Sequence, residues 1–287
     1  VVLFIGCRAG SVTTERWRFP NTRAKIVHLD IDPTVIGANY RTEAALVGDA
    51  RLSLSQLRTA VASLPRAVSD VSSVEDEIRS AKSSKAQEFR QLAVSDDLPI
   101  KPERFVAELS EVLPQDSVVV ADPGTPCPYL SAFLPVTSTG RNFITNRAHG
   151  ALGYSLSAVV GAHLGRPQAK SVAVMGDGSF GFTIGEMETV VRLNLPITFI
   201  VISNSVYGWI KAGQKSGFDE RYFSVDFSTT DHAKIAEAYG VRAWTVTDPA
   251  DLKKALGEAM AHDGPSLVDI VSQPLHEANA PVSEWVA

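Results

Sequence analysis

Apolar residues along this chain come in two spacings. Short unbroken runs are the first: Ser171 to Met175, Pro196 to Ser203, Ser117 to Ala121, Asn142 to Thr145, Val241 to Val246 and Ser266 to Val271. Such runs, rich in β-branched residues, predict strands buried on both faces. Between them lie stretches where apolar residues recur every three or four positions: Pro102 to Leu113, Gly150 to Leu164, Thr183 to Leu193, Asp231 to Tyr239 and Asp248 to His262. These predict helices, with Pro102 near the start of the first. Alternating strand and helix predicts an α/β fold over residues 101–287, a parallel six-stranded sheet with helices on both faces. Residues 1–65 carry a shorter version of the pattern. Val1 to Ile5, Ala24 to Ile31 and Ala45 to Asp49 read as strands, followed by a helix from Leu52 to Leu64. Two or three parallel strands do not bury both faces alone, so this is read as a partial Rossmann-like layer continuing from an upstream part. Residues 66–100 are dominated by Ser, Asp, Glu, Lys and Arg and read as a surface linker, with a solvated helix from Glu75 to Leu92 within it.

Composition narrows the function classes. The chain has 287 residues, 45% hydrophobic and 21% charged, as in a globular protein of one large or two ordinary domains. A net charge of -5 without a basic patch argues against a nucleic-acid partner. No apolar run is long enough to span a bilayer. Cys7 and Cys127, the only cysteines, lack metal-ligand spacing and suit a cytoplasmic location. The turn from Gly6 to Gly10 lacks the three-glycine dinucleotide fingerprint. Asp30 or Asp32 would reach a ribose if a nucleotide bound there; the other reading is a purely structural layer.

The chemistry concentrates where two strands end. The run to Met175 leads into Gly176-Asp177-Gly178-Ser179, read as a tight turn, and the run to Ser203 leads into Asn204. Both polar residues then lie at the carboxyl edge of a parallel sheet, where ligands bind in open α/β folds. A carboxylate, an amide oxygen and a backbone carbonyl such as that of Val206 suit Mg²⁺, with phosphate oxygens completing the shell. Gly178 allows close approach of phosphates, and the N–H groups of Gly178 and Ser179 precede a helix, which favours an anion. Asn204 follows Asp177 by 27 residues.

Gly-Asp-Gly, an apolar strand before it and an asparagine at that interval are similar to the signature of the thiamin diphosphate-dependent decarboxylases and carboligases. The acetolactate synthase-like branch fits best. The resemblance makes residues 101–287 the cofactor-binding domain and residues 1–65 the end of the middle domain. It implies metal ligands at Asp177, Asn204 and the Val206 carbonyl. It implies cofactor contacts at Gly124, Thr125, Gly150, Leu152, Gly176, Gly178, Ser179, Tyr207 and Gly208. The Gly150 carbonyl would meet the aminopyrimidine, and Leu152 would bend the cofactor so that its own amino group acts as internal base. The implied activity is decarboxylation of a 2-oxo acid, with or without transfer of the acyl unit. The implied cofactors are thiamin diphosphate and Mg²⁺; a flavin is allowed but argued for by no residue. The family's catalytic glutamate belongs to an upstream domain of a neighbouring subunit. A homodimer or homotetramer is therefore implied, and a catalytic residue within this chain is unknown. Glu186 and Glu188 are read as structural.

The chain also departs from the pattern. Gly213 stands where acetolactate synthases carry a tryptophan, and Trp209 lies four positions earlier. Pro126 replaces a histidine in the Asp122–Thr125 turn region, and Ser203 replaces the first asparagine of a pair, a change read as harmless. Tyr207 and Trp209 either line a pocket for a bulkier, aromatic or acyl-CoA substrate or belong to the core of a short helix. His149 either faces substrate or bonds backbone. Lys211 and Lys215 are read as solvated, the alternative being that one binds a carboxylate or a coenzyme phosphate. The competing functional reading is an isolated, catalytically incomplete cofactor-binding fragment.

Overall fold

The computed structural model describes residues 1–65, 72–146 and 149–278. The chain divides into two compact units, Val1–Glu77 and Ile78–Ala287. Residues 66–71, the first part of the expected linker, and 279–287, the end of the expected cofactor domain, lie outside the described residues.

In the first unit β1 (Val2–Ile5), β2 (Ile26–Asp30) and β3 (Thr42–Val47) form a parallel sheet in that order. Helix α1 (Ala50–Ala62) follows, its N-terminus capped by the Asp49 carboxylate, which accepts from the Leu52 N–H at 3.0 Å. Ile26 and Leu29 are buried, whereas Leu3, Ile5 and Val47 stay exposed. A three-stranded layer is too small to cover its own apolar positions. Both acids considered for a ribose accept hydrogen bonds within the turn after β2. Asp30 accepts from the Asp32 N–H at 3.0 Å, and Asp32 accepts from the Thr34 N–H at 2.9 Å and hydroxyl at 2.7 Å. The bonds from Thr34 hold the Asp32 carboxyl below its ordinary value.

Helix α2 (Ser72–Ala93) spans the boundary between the units and is almost entirely exposed. In the second unit the strands are β4 (Ser117–Ala121), β5 (Phe143–Thr145), β6 (Lys170–Gly176), β7 (Ile197–Ser203), β8 (Arg242–Val246) and β9 (Ser266–Val271). They form one six-stranded sheet in the order β5-β4-β6-β7-β9-β8, every pairing parallel. The period of two is visible in the core. Val119, Ala121, Val172, Val174, Ile200 and Ile202 point to one face, covered by α3 (Pro102–Val112), α4 (Pro126–Phe133) and α10 (Pro249–Ala261). Val118, Val120, Ala173, Met175, Phe199 and Val201 point to the other, covered by α5 (Tyr154–Gly165), α7 (Met187–Arg192) and α9 (His232–Ala238). Each valine, isoleucine, methionine or phenylalanine among them contributes about 1.5–3 kcal/mol on burial, and this double cover is what makes the central strands mostly apolar.

Three local expectations change. The Gly176–Ser179 stretch is not a turn before a later helix: α6 (Asp177–Thr183) begins at Asp177 itself. A helix this rich in glycine is held by tertiary contacts, the fully buried Phe180 and the Thr183 hydroxyl donating to the Gly153 carbonyl at 3.1 Å. The helix expected from Gly150 starts only at Tyr154, because Gly150 and Gly153 take φ of +64° and +87°. Helices α4 and α8 (Gly208–Gly217) complete the unit; α4 had no expected counterpart.

Glu103, in the first turn of α3, is buried, and desolvation pushes its carboxyl above the ordinary value. A carboxyl raised in the fold favours the protonated form. Its contribution is fully present below the unfolded value and is lost as pH rises through the folded one. Glu103→Gln fixes the neutral form. It is expected to raise the melting temperature at pH 7 by about 2–4 °C, the effect of about 1 kcal/mol in a unit of this size. Near pH 3.5 the substitution should have little effect. Melting curves at the two pH values check this; an equal shift at both would contradict the assignment.

Candidate metal-diphosphate site

Strands β6 and β7 run in register, Met175 beside Val201 and Gly176 beside Ile202. The residues that follow them therefore emerge side by side. The Asp177 carboxylate is 5% exposed and accepts three backbone N–H groups, from Gly178 at 2.8 Å, Asn204 at 2.8 Å and Ser205 at 2.6 Å. Burial raises its carboxyl above the ordinary value, while these amides and the nearby His232 pull it back. A carboxylate offers about four lone-pair directions, so three amides leave one for a cation. Ser205 takes φ +56°, a left-handed conformation costing about 1–2 kcal/mol for a non-glycine residue. That turn is held by the Ser205 N–H on Asp177 and by the Phe227 N–H on the Ser205 carbonyl at 3.0 Å. The Asn204 Nδ2 is buried without a hydrogen-bond partner. Among the described residues no cluster of three or more His, Cys, Asp or Glu side chains is placed to hold a metal. A cation here would need oxygen from amides, carbonyls and a ligand's phosphate, which fits the donor set that Asp177 and Asn204 provide.

Gly178 does not keep its N–H free, since Asp177 takes it. Its missing side chain has a different local use: a Cβ would lie 2.8 Å from the Tyr207 ring. Tyr207 packs on Phe227, centroids 5.0 Å apart, and both line a cavity of about 330 Å³ with Asp177, Gly178, Phe182 and His232. Val206 is buried and bridges to Asp226.

The turn after β4 is tied to the start of α8. A Cβ on Gly208 would lie 3.1 Å from the Thr125 hydroxyl, and the Trp209 indole N–H donates to the Gly124 carbonyl at 3.1 Å. Trp209 packs against the core. Pro126 opens α4. Asp122, fully buried, spans from β4 to α5, accepting from the Gly153 N–H at 3.2 Å and the Ser155 N–H at 2.9 Å. Burial raises its carboxyl; those amides and the Ser155 and Ser179 hydroxyls oppose the rise.

The structure thus brings Asp177, Gly178, Asn204 and Tyr207 together, and Gly124, Thr125 and Gly208 together. Gly176 precedes the first group and Ser179 links α6 to Asp122. Gly150 is exposed and Leu152 half-buried, and among the described residues no hydrogen bond joins either to Asp177 or Asn204. His149 is exposed. Lys211 pairs with Asp226 at 2.6 Å, and Lys215 donates to the His276 carbonyl at 3.1 Å, so neither is simply solvated. Glu188 pairs with Arg192 along α7.

Sequence reasoning passed over His232 and Asp269. Asp269 stands inside the otherwise apolar run from Ser266 to Val271, and a lone acid in a buried strand is a signal that it has a partner. Ser203, taken as harmless, is one of its partners: its Oγ donates to Asp269 Oδ1 at 2.5 Å.

Residues 122–270 match the description "Thiamine pyrophosphate enzyme, C-terminal TPP binding domain", and residues 1–57 match "Thiamine pyrophosphate enzyme, central domain". The chain is 31% identical to a "Probable acetolactate synthase large subunit" of Methanocaldococcus jannaschii, over 96% of this chain and 46% of that protein. It is 30% identical to the protein of the same description from Methanococcus aeolicus, over 96% of this chain and 47% of that protein. It is 28% identical to the "Putative thiamine pyrophosphate-containing protein YdaP" of Bacillus subtilis, over 85% of this chain and 42% of that protein. The chain spans about half the length of the curated relatives it matches. With more than half of its residues matching one domain of the family, and its first strands matching another, the chain belongs to the thiamine pyrophosphate enzymes.

Proposed function

We propose that this chain supplies the metal- and diphosphate-holding half of a thiamin diphosphate- and Mg²⁺-dependent lyase or carboligase of the acetolactate synthase type, acting on a 2-oxo acid. The observation that carries the reading is the Asp177 carboxylate, fixed by three amides with one lone-pair direction to spare, beside the buried unpartnered amide of Asn204. Asp177, Asn204 and the Val206 carbonyl would hold the metal; Gly124, Thr125, Ser179 and Gly208 would border the diphosphate. Gly176 and Gly178 give the backbone its close approach to that edge, and Gly150 and Leu152 would meet the pyrimidine end. When bound, the cofactor supplies the electron sink for decarboxylation. The protein's part is to orient the diphosphate and to exclude water from the apolar floor formed by Tyr207 and Phe227. A homodimer or homotetramer with the site between subunits completes the reading, with the catalytic acid supplied from outside this chain.

A bulkier or aromatic 2-oxo acid is the second substrate reading, favoured by Tyr207 at the cavity and by Gly213 in place of a tryptophan. Calorimetric titration of the full-length natural protein with thiamin diphosphate, with and without Mg²⁺, tests the first reading; metal-dependent binding is expected, and its absence would sink it. Screening pyruvate, glyoxylate, benzoylformate and acyl-CoA substrates for carbon dioxide release then separates the two. Turnover by the 287-residue chain alone would contradict its being catalytically incomplete.

A further inference from the structure

Behind the candidate metal turn lies a buried polar network that the proposed function does not use. Ser203 Oγ donates to Asp269 Oδ1 at 2.5 Å and lies 3.0 Å from His232 Nδ1. The His232 backbone N–H donates to Asp269 Oδ2 at 3.1 Å, and His232 Nδ1 lies 3.4 Å from the same oxygen. The three side chains are 9, 7 and 3% exposed for Ser203, His232 and Asp269. They come from β7, the first turn of α9 and β9, and they meet at one point of the sheet's carboxyl edge.

Proton counting fixes the histidine. The single Ser203 hydroxyl proton is directed at Asp269, so the contact between Ser203 Oγ and Nδ1 is a hydrogen bond only if Nδ1 is the donor. Nδ1 then carries a proton. Among the described residues no group bonds Nε2, and the ring, set edge-on to Phe180 at 5.6 Å, lines the cavity that Asp177, Gly178 and Tyr207 also line.

Ser203 is followed by the two residues whose N–H groups hold the Asp177 carboxylate. Polar groups buried this deeply order a backbone when all are paired, and partners behind metal ligands set ligand geometry.

We propose that Ser203, His232 and Asp269 act as a positioning triad, which clamps the end of β7 so that Asn204 and Ser205 present Asp177 to the metal. The proposal rests on the metal-diphosphate reading above and deepens it. None of the three touches the metal; each acts through the Asn204–Ser205 turn. Ser203 and Asp269 hold the strand end, and His232 supplies the second donor that keeps the serine hydroxyl turned toward Asp269.

The test is Mg²⁺ titration of the full-length protein with saturating thiamin diphosphate. His232→Ala is expected to weaken Mg²⁺ binding about tenfold or more, the size seen when a partner behind a metal ligand is lost. His232→Asn, which returns a donor near the Nδ1 position, is expected to restore binding to within about threefold of wild type on the same scale. The double variant Ser203→Ala, His232→Ala should be no weaker than the worse single variant, since groups in one network are not additive. A second readout needs no cofactor: ¹⁵N spectra of histidine-labelled protein, with the His232→Asn spectrum identifying the signal, should show a proton on Nδ1. A ring protonated at Nε2 alone, His232→Ala binding within about twofold of wild type, or His232→Asn as weak as His232→Ala would each overturn the triad, twofold being the ordinary scatter of such measurements. If wild type shows no metal-dependent binding at all, the functional reading itself has failed; if wild type binds and the variants do not differ, only the triad has failed.

Discussion

Replacing Asp177 with asparagine is expected to abolish metal-dependent binding of thiamin diphosphate by the full-length protein. The loss should exceed the roughly 10–100-fold that changes behind a metal ligand cost, because a ligand's own charge is removed. The side chains are nearly the same shape, so the argument rests on chemistry. The carboxylate accepts from Gly178 on one oxygen and from Asn204 and Ser205 on the other. An amide has one accepting oxygen; its NH₂ would face an N–H and leave it unpaired. A buried unpaired N–H costs about 1–3 kcal/mol, so the turn at Ser205 should loosen as well. Calorimetry reads the affinity and proton exchange of the Asn204 and Ser205 amides reads the turn. Binding within about threefold of wild type would contradict a ligand role for Asp177.

Gly153→Ala should be the most destabilising single-methyl change at the site. The residue's φ of +87° costs an L-residue about 1–2 kcal/mol. The added Cβ would also lie 2.6 Å from Thr183 Cγ2 and 3.3 Å from Phe182 Cβ. Overpacking of that kind adds about 1–3 kcal/mol, giving a total near 3 kcal/mol and a fall in melting temperature of about 6–12 °C. Thr183→Ser removes the clashing methyl and retains the hydroxyl that donates to the Gly153 carbonyl. Combined with Gly153→Ala it should recover about 1 kcal/mol, the methyl's share of the clash, while the backbone part and the contact with the Thr183 hydroxyl, 3.0 Å from the added Cβ, remain. No recovery in the double variant would mean that the clash is not with that methyl. Since Gly153 also donates to Asp122, the single variant should disturb the junction of β4 with α5.

What could be read from the sequence was what local periodicity controls. The central runs of β6 and β7, Val172–Met175 and Phe199–Ile202, are apolar throughout because both faces are covered, and that pattern needs no partner to be seen. Asp177 and Asn204 were legible because each closely follows such a run. Helix α4 was not, since Pro126 and Pro128 mask it and its first half is buried all round, leaving no polar stripe. Helix α6 was read as a turn because glycine propensity is poor; burial of Phe180 outweighs it. Trp209 could not be placed as core or pocket because its indole bonds a carbonyl 85 residues away. Ser203 passed for a neutral exchange because its partners lie 29 and 66 residues downstream.

The strand order carries a consequence for how the chain is made. β9 follows β8 in sequence yet sits between β7 and β8. As the polypeptide leaves the ribosome, the mostly apolar β7 must wait with one edge open until residues 266–271 emerge. An open apolar edge invites pairing with another nascent chain. Ribosome-stalled chains whose residues 266–271 are still inside the exit tunnel should therefore recruit chaperones, and those in which these residues have left it should release them.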